Sequence, residues 1–327
     1  MRSAYIEELG PSDIIRHGEL PEPRPGPTDV LVDVEIAAVN HVDTFVRSGA
    51  WRTPVPFPFV VGRDLVGTVA ATGPGVPDFA DGDRVWCLSM GHAGRQGVAA
   101  ERAVVPADRL YHLPEGVDAV DAAAMAHPGA TAYLALFTHG RMRPGETVVV
   151  IGAAGNVGSA AVTLAVNAGA RVIAVAAARD TEYCRSLGAD VVIDYRTPDV
   201  HRRIRDTVPA GADLYIDAAG RNDLEDSLEV LTSRGRLVLL AGMNTRAVLP
   251  VGALYLADRS IVGFAISKAT ITELAEAAGH VGRLVAAGKL RPRQRELLPL
   301  SAAATAHRDL ESGNGAGRRF LLQVRPD

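Results

Sequence analysis

Val148-Val149-Val150-Ile151-Gly152-Ala153-Ala154-Gly155-Asn156-Val157-Gly158-Ser159 is the stretch whose reading decides the fold. Four apolar residues form a short buried strand, glycines follow at intervals of three, and an alanine-rich run continues for about three helical turns. The pattern reads as strand, tight turn, helix. Such a turn leaves backbone N–H groups at a helix N-terminus without intrahelical partners, and the helix dipole adds partial positive charge there. Phosphate oxygens meet both needs, and glycine, having no side chain, lets them approach closely. Gly152, Gly155, Asn156, Val157 and Gly158 are therefore candidate phosphate contacts. The spacing Gly-x-x-Gly-x-x-Gly is one residue longer than the usual Gly-x-Gly-x-x-Gly fingerprint, so a purely structural turn stands beside the binding site as a reading.

Outward from this stretch, strand and helix patterns alternate. Strands are expected at 147–151, 171–176, 190–193, 213–216, 236–241 and 261–265, with helices at about 157–168, 181–187 and 223–232. Alternation of this kind implies a parallel sheet with helices on both faces. Gly188, in Leu187-Gly188-Ala189-Asp190, suits the position just past a helix end.

The N-terminal region has a different texture. Short β-type runs alternate with proline clusters such as Pro21-Glu22-Pro23-Arg24-Pro25-Gly26-Pro27, and Asp29 to Ile36 alternates polar and apolar as a half-buried antiparallel strand does. Alanine-rich helical sequence takes over around Asp118. After about residue 266 the texture is mixed again, with a helical run 271–287 and strand-like segments at Arg295 to Leu298 and Phe320 to Val324. This tail is too short to be an independent domain and is expected to return to the first one.

Composition supports this division and excludes several functions. A chain of 327 residues exceeds what one core usually serves, so two domains are expected. With 47% hydrophobic and only 5% aromatic residues, the core must be built mainly from Ala, Val and Leu. The net charge is −4 and the arginines are dispersed, which leaves no electrostatic footprint for nucleic acid or an anionic membrane. The densest basic run, Arg202-Arg203-Ile204-Arg205, reads as the solvated face of a helix. Cys87 and Cys184 are too few for a disulfide framework or a four-cysteine zinc site. No signal-peptide core or membrane-length apolar run is present, so a cytoplasmic setting is expected.

The residue that grips a ribose 2′-hydroxyl should end the second strand, about 20 residues after the glycines. Ala174-Val175-Ala176-Ala177-Ala178-Arg179 carries no carboxylate there, and an arginine follows. Loss of the acid removes repulsion toward a 2′-phosphate, which Arg179 and the Tyr195 hydroxyl can bind, favouring NADPH over NADH. The alternative for Arg179 is a solvated loop residue.

Asn40-His41-Val42-Asp43-Thr44-Phe45-Val46-Arg47-Ser48-Gly49, Gly82-Asp83-Arg84-Val85, Thr131-Ala132-Tyr133, the glycine turn, Leu187-Gly188-Ala189-Asp190 and Gly235-Arg236 span essentially the whole chain. Together, and in this order, they resemble the zinc-independent NADPH:quinone oxidoreductase (zeta-crystallin-like) group of the medium-chain dehydrogenase/reductase superfamily. The resemblance implies an α/β fold: a central Rossmann doubly wound parallel sheet plus a GroES-like β-rich domain formed by both chain ends. Residues 1–120 would be the first part of the GroES-like catalytic domain, 121–261 the Rossmann NADPH-binding domain, and 262–327 the return to the catalytic domain. A cleft between the domains would take a quinone or enone. A homodimer is also implied, by edge pairing of Ser260-Ile261-Val262-Gly263-Phe264-Ala265, since an uncovered apolar edge strand is a liability.

By the same resemblance Asn40 is the catalytic candidate, lying beside the nicotinamide and its ribose with an amide that donates toward ribose or substrate oxygen. Its alternative is a turn-forming Asn at a strand end. Thr131 matches the carboxamide-contacting position, or is a core threonine. Gly242 joins the cofactor-binding set. His41, Phe45, Trp51 and His127 form the substrate pocket, with the two histidines either proton donors or structural. Zinc alcohol dehydrogenases of the superfamily carry a cysteine where Asn40-His41 lies, Gly-His-Glu where Gly62-Arg63-Asp64 lies, and a four-cysteine lobe, all missing here. Catalytic zinc needs three well-placed ligands, and His41, Asp43 and Asp64 make a poor set, so no metal is expected.

Without a Lewis acid, hydride delivery suits an acceptor that is already electrophilic: a quinone or an α,β-unsaturated carbonyl, whose charge develops on a conjugated oxygen. An enoyl or alkenal reductase of a biosynthetic pathway and a non-catalytic NADPH-binding protein are the alternatives. Three departures from the family pattern bear on detail. Asn156 replaces a glycine, tolerable because Asn accepts positive φ. Thr181 stands where a basic residue is common, and Phe45 and Trp51 stand where tyrosines are common, making the pocket more apolar.

Overall fold

The computed structural model describes residues 1–315 and 317–325. The chain forms two compact units, one made of Met1–His127 with the chain from Ala269 onward, the other of Pro128–Lys268.

The second unit holds six parallel strands: Thr147–Ile151, Arg171–Ala176, Val191–Asp194, Ala212–Asp217, Leu231–Leu239 and Ser260–Gly263. Numbered in chain order, they lie side by side as third, second, first, fourth, fifth, sixth. Val148, Val149 and Val150 of the first strand are wholly buried, as a strand covered on both faces requires. Each such side chain contributes about 1.5–3 kcal/mol by burial. The strand order reverses between the first and fourth strands, so their carboxyl ends form the switch point where α/β sheets bind ligands.

Among the described residues the sixth strand is the sheet's edge, paired with Leu231–Leu239 alone. Gly188, at φ 96°, follows the helix Thr181–Ser186 as expected. In the helix Val200–Thr207 Ile204 is buried while Arg202 and Arg203 are exposed, which makes this run the solvated face read from sequence.

The fifth strand differs from expectation. It begins at Leu231, five residues ahead of the expected 236, because Leu231 pairs with Ala212 before an irregularity in register. Helix Leu224–Val230 stops correspondingly early.

In the first unit, the ten-residue strand Asp29–Ala38 organises a seven-stranded sheet. Asp64–Thr72 runs antiparallel along it, followed by Arg84–Cys87 and Leu110–His112. Its other side is shared, the first half by Arg102–Pro106 and the second half by Arg318–Gln323. Arg318–Gln323 also pairs in parallel with Gln294–Pro299. Both ends of the chain therefore build one sheet, the GroES-like arrangement with its C-terminal return. The core under it includes Val30, Val32, Val34, Leu65, Val85, Phe320 and Leu322.

The expected boundaries lay at 120/121 and 261/262, whereas the units divide at 127/128 and 268/269. The helix Ala119–Tyr133 contributes its first part to one unit and its last turns to the other. At the second boundary, Ser260–Gly263 is a full member of the six-stranded sheet.

Candidate functional site

In the six-stranded unit, the turn after the first strand is shaped by its glycines. Gly152 takes the left-handed conformation at φ 76°, and the Gly152 and Ala153 amides both donate to Val175 O, at 3.0 and 3.1 Å. A Cβ on Gly158 would lie 2.1 Å from Gly152 O, and one on Gly155 would lie 3.2 Å from the same oxygen. The first clash is prohibitive and the second tight, so helix and turn meet this closely only without side chains. The helix Asn156–Asn167 then opens with Gly155 in an extended conformation at its N-cap and no side chain capping it. A helix N-terminus carries the partial positive charge that an anion site needs. The allowance made for positive φ at Asn156 is not called upon: the left-handed residue is Gly152, and Asn156 is the first helical residue.

The neighbouring fourth strand ends in Asp217, a buried carboxylate that folds the following loop by accepting from the amides of Ala219, Gly220 and Asn222 at 2.9, 2.8 and 2.7 Å. The Ala218 amide donates to Ile151 O at 3.2 Å, which joins this loop to the glycine turn. Gly242, after the fifth strand, sits at φ 86° against it, so close that a Cβ would lie 2.0 Å from Asn222 Nδ2. Gly242 thus permits close approach between two loops at the switch point.

Arg179 lies in the turn Ala178–Asp180, its side chain 73% exposed and 3.9 Å from Asp180 Oδ2. Tyr195 is exposed just past the third strand, its amide donating to Ala176 O at 3.1 Å. Two arginines that sequence reasoning missed flank its ring, Arg196 and Arg221, each 5.6 Å from the centroid. The available signal was a basic residue directly after Tyr195 and after Gly220. Thr131 is buried in the helix Ala119–Tyr133, and its Oγ1 has no hydrogen-bond partner. An orphaned hydroxyl, a glycine cradle and a basic rim fit a phosphorylated dinucleotide.

In the other unit, Asn40 lies just ahead of the helix His41–Ser48, whose third residue, Asp43, accepts the Asn40 backbone N–H at 2.8 Å. The side chain, expected to donate toward ribose or substrate oxygen, is engaged by neighbouring side chains. Asn40 is 2% exposed; its Nδ2 donates to Asp64 Oδ2 at 2.7 Å, and its Oδ1 accepts from Arg319 Nη2 at 3.0 Å. The amide is therefore tied into a buried charged network. Arg63 Nε donates to Asp43 Oδ1 at 2.9 Å, and the Ser89 amide donates to Asp64 Oδ1 at 3.1 Å. Arg319, from the last strand, also donates to Ala124 O at 2.8 Å and Val39 O at 3.3 Å.

Two carboxylates and two guanidinium groups are thus enclosed together, a balance that burial of charge demands. Burial, reinforced by Asp43, pushes the Asp64 carboxyl up to about 6 despite the opposing Arg63. Asp43 is raised by burial as well, against Arg63. Burial brings Arg319 down to about 10. His127, at the end of the first unit, has its Nδ1 3.9 Å from Asp64 Oδ2. Burial first, then Arg63 and Arg319, hold its ring well below the usual histidine range, so it is neutral at pH 7.

The other pocket candidates cluster on or beside the same helix. His41 is its exposed first residue, with a pKa lowered by partial enclosure and by Arg319. Phe45 is exposed, the Trp51 amide donates to Phe45 O at 3.0 Å, and the Trp51 ring lies 5.7 Å from that of His92. Asp43 and Asp64 are engaged by Arg63, Asn40 and Ser89, and do not form a ligand set with His41. Among the described residues, ligand atoms gather closely enough for a metal only at His201, Asp223 and Asp226, in the other unit.

Two family models match the chain: "Alcohol dehydrogenase GroES-like domain" over residues 26–115 and "Zinc-binding dehydrogenase" over residues 156–282. The chain is 30% identical over 327 residues to quinone oxidoreductase of Mus musculus, covering 98% of this chain and 97% of that protein. Among solved structures, an NAD-dependent alcohol dehydrogenase is 32% identical with a TM-score of 0.89, covering 99% of this chain and 100% of that one. A mycobacterial protein, Rv1454c, complexed with NADPH is 29% identical with a TM-score of 0.84, covering 99% of both chains.

Proposed function

The chain belongs to the quinone oxidoreductase (zeta-crystallin-like) group of the medium-chain dehydrogenase/reductases and is an oxidoreductase, and from that premise we propose that it is an NADPH-dependent, zinc-independent reductase of quinones or other conjugated carbonyls. When bound, NADPH supplies a hydride from its nicotinamide C4. The observation that carries the reading is the intact cradle, in which Gly158 approaches Gly152 O too closely for any side chain. In this reading the amides of Asn156, Val157 and Gly158 hold the pyrophosphate, and Thr131 Oγ1 takes the carboxamide. Arg179, Tyr195, Arg196 and Arg221 surround the 2′-phosphate; a carboxylate that would repel it is missing from the end of the second strand.

On the acceptor side, Phe45 and Trp51 supply an apolar wall for a planar conjugated ring. That wall equally suits an enal or enone, so an enoyl or alkenal reductase is the second reading. Asn40 serves by position: it fixes the start of the helix that carries His41 and Phe45. Zinc independence is supported by Arg63, whose guanidinium engages Asp43 where the zinc enzymes place a histidine ligand. A homodimer through the edge strand Ser260–Gly263 and a cytoplasmic setting, in keeping with the two buried cysteines Cys87 and Cys184, complete the proposal.

The test is NADPH oxidation with 9,10-phenanthrenequinone, enones and enals, before and after dialysis against EDTA. Turnover that survives chelation supports the reading. No turnover with any conjugated acceptor, or turnover abolished by EDTA and restored by zinc, contradicts it.

A further inference from the structure

Around Asp64 the structure leaves unusual loose ends. Asp64 is fully buried, yet next to it His127 Nδ1 is buried without a hydrogen-bond partner, while the ring keeps 12% of its surface exposed. On the other side Ser89 donates its backbone N–H to Asp64 at 3.1 Å, holds a left-handed φ of 66°, and buries an Oγ that also lacks a partner. Buried unpaired polar atoms are rare, and strained non-glycine backbone is costly. Both occur around one carboxyl group, where apolar residues would pack without penalty.

We propose that His127, backed by Asp64, delivers the proton that a conjugated carbonyl takes up on reduction, an inference that rests on the reductase reading above. Addition of a hydride to the acceptor leaves the electron pair as an oxyanion. The N–H bond at His127 Nε2 breaks and its proton forms the O–H bond of the product. Nδ1 takes the proton from the Asp64 carboxyl, so the ring ends neutral in its other tautomer and Asp64 ends as carboxylate. A solvent proton arriving at Nε2, with Nδ1 returning its proton to Asp64, restores the starting state. The 3.9 Å between Nδ1 and Asp64 Oδ2 comes within direct hydrogen-bond reach on a small rotation of the ring.

The surrounding charges suit this division of labour. Arg63, Arg319, His41 and His92 face His127 and, with burial, keep it neutral. Asp43, Arg63, Arg319 and the Cys87 thiol surround Asp64, and burial with Asp43 leaves it a titration near pH 6. His127 is thus the donor at the reacting oxygen, and Asp64 the group that stores the proton and positions the ring.

The experiment pairs a spectroscopic readout with kinetics. In nitrogen-15 NMR of the full-length, ligand-free protein, His127 should stay neutral from pH 5 to 8, while its ring shifts follow one titration with midpoint near 6 that disappears in Asp64→Asn. With phenanthrenequinone, His127→Asn should lower kcat about 100-fold, as loss of a general acid does, with KM little changed. Wild-type kcat should fall as pH rises past 6, and the variant's should not. His127→Gln serves as a second variant, and the NMR titration needs no variant at His127. A charged His127 at pH 7, ring shifts indifferent to Asp64→Asn, or wild-type kcat and pH profile in both His127 variants would overturn the relay while leaving the reductase reading intact. A wild-type protein inactive with every conjugated acceptor would remove both.

Discussion

Replacing Arg319 by methionine tests the buried network most sharply, because a chain of similar length keeps the packing and removes only the guanidinium. Three enclosed acceptors lose their donor: Asn40 Oδ1, Ala124 O and Val39 O. Each orphaned acceptor costs about 1–3 kcal/mol, and the losses overlap because they share one side chain. Asp43 and Asp64 are left with Arg63 as the enclosed cation beside them. Breaking a buried charge balance in this way costs about 3–5 kcal/mol, which for a unit of this size lowers the thermal midpoint by about 10 °C.

The pH dependence follows from Asp64. Its folded pKa, about 6, lies above the ordinary 3.8, so the folded chain holds a proton that the unfolded chain has lost across that window. Stability from this group therefore falls as pH rises from 3.8 to about 6. Removing Arg319 raises Asp64 further and extends the loss upward, so the gap between variant and wild type should be wider at pH 8 than at pH 5. Calorimetric melts at both pH values give the comparison. Midpoints within about 2 °C of wild type at both would refute the network as a stability element, and an equal gap at the two would refute the part assigned to Asp64.

Gly158→Ala should weaken NADPH binding at least about tenfold, equivalent to roughly 1.4 kcal/mol, as read by nucleotide fluorescence; unchanged affinity would mean that phosphate does not use this turn. Arg221→Ala should cost NADPH about tenfold and leave NADH within a factor of about two, since a charge-assisted hydrogen bond is worth about 1.5–3 kcal/mol. Equal losses for both nucleotides would remove Arg221 from the 2′-phosphate site. Leu256 and Val248 are strongly exposed apolar residues in the segment leading into the edge strand Ser260–Gly263. Leu256→Arg should shift the protein from dimer to monomer mass in light scattering, whereas a monomeric wild type would contradict the edge-pairing proposal.

Much of the fold was legible because its signals are local. The strand Thr147–Ile151, its glycine turn and the following helix occupy one continuous stretch, and Gly188 marks a helix end by its own φ. The return of the tail was legible from length alone. The charged network was not, because its partners meet only after folding: Asn40, Asp64 and Arg319 are far apart in sequence. Arg318 and Arg319 are neighbours on one strand, and only the alternation of its faces decides that Arg319 turns inward. The helix start at Asn40 and Asp43 was not read from the sequence, and the amide expected to donate toward ribose or substrate is engaged by Asp64 and Arg319. Arg221 escaped notice because its partner ring, Tyr195, belongs to a different strand end.

The most direct measurement is a stoichiometric turnover assay on the wild-type protein, following NADPH at 340 nm and product by chromatography with phenanthrenequinone and with an enone. The expected result is one NADPH consumed per acceptor reduced, a strong preference over NADH, and no effect of chelator. Nucleotide that binds but is never oxidised by any conjugated acceptor would contradict the central claim.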